Sequence, residues 1–286
     1  MKYEKFKSIL NREIFENNEV DLIEKIAKTP NRFLGLFRPS KIEAKILQNI
    51  LQSNEIKFGN VLEKLFREYF AELGYENLER RLKNFYSSRN KFLSLDQLFT
   101  DGKNIYFVEQ KIRDDHDDSK IEGQFLNLRC KVDSLVQKYD KDKLIVFNYF
   151  IDDGLKKWNE YYTNELIKLE NEYGIKAYLC YGKEFWEKID QNDTWNEILN
   201  YLKKWKNEIP LFPEINFDKH ADISFEKIKN IAPSLFNKIF SNDDISSEIL
   251  PILFPEKRTL KLLKKYFIEL GKTKNIYKNL ADKIKY

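Results

Sequence analysis

FLSLDQLFTDGKNIYFVEQKIRDDHDDSKIEGQ, residues 92–124, is the stretch on which the reading of this chain turns. Two runs rich in apolar and aromatic side chains, 92–99 and 104–109, flank Thr100-Asp101-Gly102-Lys103. Asp-Gly supplies two residues that tolerate positive φ, so the stretch is predicted to fold as a β-hairpin with a tight turn. Side chains alternate across a strand, which puts Glu109 and Lys111 on one face and Gln110 on the other. A turn centred on Asp101-Gly102 sets Asp96, on the partner strand, near 106–108 and diagonally within reach of Glu109. Glu109 also ends a nearly continuous apolar strand, as expected of a strand inside a sheet rather than at its edge. Two carboxylates and an amine are thus expected to converge.

Those residue types suit a magnesium-dependent phosphodiesterase. Mg²⁺ is a hard cation that takes oxygen ligands and keeps several waters. Asp96 and Glu109, with a main-chain carbonyl such as that of Gln110, can hold it and leave positions open for a phosphate oxygen and a water. Bound there, the ion polarises the phosphate and acidifies the water. Lys111 would stand beside the scissile phosphate and stabilise its developing charge.

Asp96 followed thirteen positions later by Glu109-Gln110-Lys111 resembles the signature of the PD-(D/E)xK nucleases, with Leu95 where a proline is usually written. Upstream, Phe58-Gly59-Asn60-Val61-Leu62-Glu63-Lys64-Leu65 looks like the helix that precedes the nuclease sheet, and Glu63 matches its metal-assisting glutamate. Lys120 to Gln124 looks like the region that opens a helix after the lysine in type II restriction endonucleases. The resemblance covers roughly residues 56–185. It implies an α/β, restriction-endonuclease-like fold, a mixed β-sheet flanked by helices. It further implies a Mg²⁺ cofactor held by Asp96, Glu109, Gln110 and Glu63, with Asp96, Glu109, Lys111 and Glu63 as the catalytic set. The implied partners are double-stranded DNA, a second copy of the chain in a two-fold homodimer that mirrors a palindromic site, and a cognate DNA methyltransferase as genetic partner. For Glu63 a bland reading stands beside this one, an i,i+4 surface pair with Arg67.

Arg113-Asp114-Asp115-His116-Asp117-Asp118 invites a metal-site reading. It is better taken as a solvated loop whose Asp117, Asp118 or Ser119 caps the next helix. One or two of its acids could instead accept from cytosine N4. His220 is isolated.

The chain has 286 residues, of which 42% are hydrophobic and 15% aromatic, enough for one large domain or two small ones. No window approaches a membrane span, and the N-terminus lacks the apolar run of a signal peptide. Cys130 and Cys180 have no metal-ligand spacing and suit reduced thiols in a cytoplasmic protein. The net charge of +4 is modest, but its placement is uneven. Glu256 to Tyr286 holds ten Lys and Arg against three Asp and Glu, so the remainder is slightly acidic. A second basic stretch, Arg80 to Lys91, runs into the Asp96 strand with Phe85 and Tyr86 interleaved, as suits a phosphate track. Arg80, Arg81, Arg89 and Lys91 from it, with Arg113, Lys120 and Gln124 beyond the hairpin, are the candidate DNA contacts.

Along the chain, 1–56 has helical periodicity broken by Pro30 and Pro39, and a separate helix is predicted over 59–73. Segment 75–91 reads as irregular. An amphipathic helix over 120–139 buries Phe125, Leu128, Val132, Leu135 and Val136, with Gln124, Asn127, Arg129 and Lys131 around its other faces. Strand 144–150, helix 155–173 and strand 177–181 imply a βαβ crossover and parallel strands beside the hairpin. Pro210 and Pro213 mark a boundary. The expected organisation is therefore a helical region 1–56, a catalytic core 57–208 and a basic helical region 209–286 that either reads DNA or dimerises. A site-specific endonuclease is the leading expectation. The alternatives are a structure-directed repair or recombination nuclease of resolvase type, and a non-catalytic DNA-binding protein.

Overall fold

A computed structural model describes residues 1–35, 37, 39–83, 92–114 and 117–285. In chain order its elements are α1 (Tyr3–Phe15), α2 (Asn18–Lys28), α3 (Ile42–Glu72), β1 (Glu76–Asn77), β2 (Arg81–Lys83), β3 (Phe92–Ser94), β4 (Gln97–Thr100), β5 (Ile105–Lys111) and α4 (Asp118–Val136). They continue with β6 (Leu144–Phe150), α5 (Asn159–Tyr173), β7 (Lys176–Tyr181), α6 (Lys183–Lys188), α7 (Asn192–Glu208), α8 (Ala221–Ile228), α9 (Pro233–Phe240), α10 (Leu250–Leu253), α11 (Arg258–Gly271) and α12 (Asn275–Lys283). The chain divides into two compact units. One comprises Met1–Lys7 and Gly59–Asn207, the other Ser8–Phe58 and Glu208–Tyr286.

The first unit is built on a five-stranded mixed sheet in the order β1-β4-β5-β6-β7. The hairpin partners β4 and β5 are antiparallel, and β5, β6 and β7 run parallel, joined by the crossover helices α4 and α5. Leu98, Phe107, Val146 and Phe150 face α4 and α5, where Phe125, Leu128, Val132, Leu135, Tyr162 and Leu166 close a buried core. The opposite face is aromatic. Phe99 stacks on Phe70 of α3 at 4.1 Å between ring centroids, and Tyr149 stacks on Phe185 of α6 at 4.6 Å. A sheet buried on both faces needs near-continuous apolar strands, which is why β6 reads Leu-Ile-Val-Phe-Asn-Tyr-Phe.

Several expectations are corrected in detail. The hairpin loop is four residues long, between Thr100 and Ile105, and only Gly102 has positive φ. Asp101 contributes through its side chain, accepting from the main-chain N–H of Lys103 at 2.8 Å and of Asn104 at 2.7 Å. The expected strand 92–99 breaks at Leu95-Asp96, and β3 pairs instead with β2 in a separate two-stranded ladder. Residues 76–83, expected to be irregular, thus contain two strands, too short for alternation to be legible. The helix predicted over 59–73 continues backwards without interruption to Ile42. No proline intervenes, and Gly59 alone costs a helix only about 1 kcal/mol.

In the second unit, α2 and α8 to α12 bury a common core that includes Leu22, Ile26, Ile228, Ile231, Ile239, Leu260, Leu263 and Phe267. The buried carboxylate of Asp218 accepts from the main-chain N–H of Glu256 and of Thr259, both at 2.8 Å, and so satisfies donors at the start of the basic helix α11.

Candidate active site

Strand alternation in β5 turns Phe107, Glu109 and Lys111 toward α4 and α5, and Val108 and Gln110 toward α3. Asp96 sits in the bend before β4, and the register pairs Gln97 with Val108, which brings Asp96 level with Glu109. The main-chain N–H of Gln110 donates to Asp96 Oδ2 at 2.8 Å and fixes that carboxylate against β5. Lys111 Nζ donates to Glu109 Oε1 at 3.0 Å and lies 3.5 Å from Asp96 Oδ2, so one ammonium bridges two carboxylates. The Gln110 side chain points away, as alternation requires, and accepts from buried Gln97 at 3.3 Å.

A second lysine completes the cluster. Lys131 of α4 is 4% exposed and donates to Glu109 Oε2 at 2.5 Å, with its Nζ 3.9 Å from Asp96 Oδ1. Sequence reading set Lys131 on an outer face of the helix, and the structure corrects this. A signal was present: 124, 128, 131 and 135 are spaced as one helical stripe, so Lys131 shares a face with buried Leu128 and Leu135. Gln124 lies on the same stripe, accepts from the Tyr162 hydroxyl at 3.4 Å, and lines a small cavity with Glu109, Lys111 and Asn148.

The charges push the two carboxyls apart. Burial disfavours the charged form of Glu109, but Lys111 and Lys131 outweigh it and hold Glu109 below the usual carboxylate value. Asp96 is raised, by burial first and by Glu109 second. Burial would lower Lys111, yet Glu109 and Asp96 prevail and keep it firmly protonated.

Glu63 comes from α3, on the other side of the sheet. Its Oε2 lies 3.5 Å from Arg80 Nη1, which also donates to the Asp96 carbonyl at 2.8 Å. Arg80, rather than Arg67, is therefore its cationic neighbour. Burial, then the charge of Asp96, raises the Glu63 carboxyl from 4.5 to about 7. Among the described residues no set of three His, Cys, Asp or Glu side chains is gathered as metal ligands. Asp96 and Glu109 nonetheless offer an all-oxygen donor pair, with the Glu63 carboxyl, raised mainly by its burial, beside it. That donor chemistry fits a hard divalent cation.

The remaining candidates are placed variously. The Arg81 guanidinium lies 3.8 Å over the Phe92 ring. Arg113 pairs with half-buried Asp152 at 3.4 Å and Lys120 with Asp117 at 3.4 Å, the other three being exposed. Arg89, Lys91 and His116 lie outside the described residues. The acidic loop is not wholly solvated. Asp114 is buried and accepts from Trp158 N–H at 2.8 Å and the Tyr181 hydroxyl at 2.9 Å, a structural role. Asp117 occupies the N-cap position of α4 without a side-chain hydrogen bond to the helix.

Comparison with curated proteins finds no match. The family model described as "Type II restriction endonuclease, HinfI" matches residues 2–91 and 75–206, most of the chain and all of the cluster around Asp96. Enzymes of this kind act on DNA and are generally metal-dependent. Among the described residues no helix is long and apolar enough to cross a membrane. With the mixed sheet, the D…ExK strand pair and the family match in agreement, the chain belongs to the HinfI family of type II restriction endonucleases and is a site-specific deoxyribonuclease.

Proposed function

We propose that Asp96 and Glu109, with the Gln110 carbonyl and with Glu63 at the edge, hold Mg²⁺, and that the scissile phosphate of double-stranded DNA lies over them beside Lys111. The observation that carries this reading is the bridging of both carboxylates by the Lys111 ammonium. When bound, the ion supplies Lewis-acid polarisation of the phosphate and a water of lowered pKa. Lys111 would point its protonated amine at a non-bridging phosphate oxygen and stabilise the charge that grows there. Lys131 is too buried to touch substrate and acts as a positioning residue, holding Glu109 Oε2 so that Oε1 faces the site. Arg80, Arg81, Arg113, Lys120 and Gln124 contact DNA around this centre, and residues 57–208 serve as the catalytic core. A two-fold homodimer reading a short palindromic site, a cytoplasmic setting and a cognate methyltransferase complete the proposal.

Supercoiled plasmid incubated with Mg²⁺ is expected to give discrete fragments, whose sequenced ends report both site and stagger. Plasmid left intact by folded protein in Mg²⁺, but cut with another divalent ion, would overturn the choice of metal.

Glu63 supplies a pH test. Its folded pKa of about 7 lies above its ordinary 4.5, so the folded state binds the extra proton between these values. The associated stability is complete below pH 4.5 and is lost as pH rises toward 7. In chelator, from about pH 5 to pH 8, wild type should lose up to about 3 kcal/mol relative to Glu63→Gln. Asp96 and Glu109 titrate in both proteins and largely cancel from the difference. Denaturant melts at the two pH values check it, and a wild-type-to-variant gap independent of pH would remove Glu63 from the site's electrostatics.

A further inference from the structure

Beside the β2–β3 ladder lies a cleft of about 460 Å³ lined by Arg67, Glu79, Arg80, Arg81 and Phe92, among others. Arg67 of α3 donates from Nη2 to the Leu78 carbonyl at 3.2 Å. Its Nη1 is buried and has no acceptor among the described residues. Leaving a buried donor without a partner is costly, more so when it is charged, so Arg67 is poorly explained as a purely structural group. The Arg67 guanidinium is also destabilised, by burial first and by the charge of Arg80 second. Three guanidiniums line the cleft with one carboxylate, that of Glu79, which already accepts from the Arg81 main-chain N–H at 3.0 Å; with Arg80 also paired to Glu63, one positive charge is left over. Arg81 is held over Phe92, its planar fork preorganised. An orphan donor, an excess of positive charge and open volume together describe an anion site. Guanidinium forks match the oxygen geometry of phosphate.

Arg80 joins this cleft to the cluster already described, since the same guanidinium donates to the Asp96 carbonyl and neighbours Glu63. We propose that Arg67, with Arg80 and Arg81, forms a pocket for a backbone phosphate of bound DNA, flanking the scissile phosphate. The adjacency rests on the reading that the scissile phosphate lies at Asp96, Glu109 and Lys111. Arg67 Nη1 would donate to a non-bridging oxygen, and the pocket would fix the register of the strand against the catalytic residues without reading a base.

The test is equilibrium binding of the full-length protein to a short duplex of mixed sequence, with Ca²⁺ in place of Mg²⁺ and NaCl varied from about 50 to 200 mM. Losing one phosphate contact lowers the slope of log K against log salt by about 0.9, roughly an eightfold loss of affinity near 0.1 M salt. Arg67→Gln is expected to show both changes, and Arg67→Lys to keep the slope while losing less affinity. Arg67→Gln that folds and binds with wild-type affinity and slope overturns the pocket. If Arg67→Gln does not fold, Arg81→Gln decides in the same assay, because Arg81 is exposed; an unchanged slope then overturns the proposal. The readout needs no turnover. A Lys111→Ala enzyme that still cleaves would therefore sink the catalytic assignment alone, and an unchanged salt slope would sink the phosphate pocket alone.

Discussion

Lys111→Ala is expected to lower the rate of plasmid cleavage by on the order of 10²–10⁴-fold while leaving the protein folded and able to bind DNA. The size follows from the position of the amine. Its Nζ is 3.0 Å from Glu109 and 3.5 Å from Asp96, and its side chain is partly exposed at the mouth of the cluster. It is the one ammonium of the pair that substrate can reach. Removing it leaves Glu109 still bonded to Lys131, so the fold should survive at a smaller cost than that of deleting Lys131. Lys111→Arg keeps the charge, but its planar fork cannot occupy the place of a compact ammonium between two carboxylates, so little activity should return. Single-turnover cleavage in Mg²⁺, with filter binding in Ca²⁺ as the control for DNA affinity, measures both. A variant that cuts at the parental rate would remove Lys111 from the chemistry and with it the central assignment.

The second large effect belongs to Lys131→Met. This change preserves the aliphatic volume in α4 and removes the ammonium 2.5 Å from Glu109 Oε2. Both side chains are about 5% exposed, so Glu109 is left with an uncompensated buried oxygen. Breaking a buried pair by deleting one partner costs about 3–5 kcal/mol, far more than an exposed pair is worth. The variant should therefore melt well below wild type in chelator and cleave poorly even where folded, since Glu109 is no longer aimed. Divalent cations should raise its Tm more than that of wild type, because the ion then supplies the charge that Lys131 removed. The thermal-shift difference with and without Mg²⁺ separates this role from plain packing, which would respond equally in both proteins. A fully stable Lys131→Met enzyme with normal cleavage would mean that Lys131 is incidental.

Gln124 and Lys131 show where local reading fails. Both lie in a helix whose apolar stripe is visible in the sequence, and periodicity places both on its outer faces. A polar residue inside such a stripe looks like interruption until the helix has docked. Only the face of β5 opposite α4 makes it a contact: Glu109 lies 22 residues earlier in the chain and meets Lys131 only through the β5–α4–β6 crossover. Glu63 poses a related problem. Its neighbour four residues on suggested a pair along one helix, whereas the cation beside it, Arg80, arrives from the segment leading into β2.

The hairpin and its polar triad were determined by the sequence alone. Turn chemistry at Asp101-Gly102 and the two-residue period of β5 are short-range properties, so local residues suffice to bring Asp96, Glu109 and Lys111 together. The parallel strands β6 and β7 were legible for the same reason, as apolar runs of strand length separated by a helix. Tertiary structure alone decided the second ammonium on Glu109, the union of two helical stretches into α3, the short β2–β3 ladder and the arginine-lined cleft beside it. Each of these depends on which surfaces meet, and burial of a charge is a property of that meeting rather than of any segment read by itself.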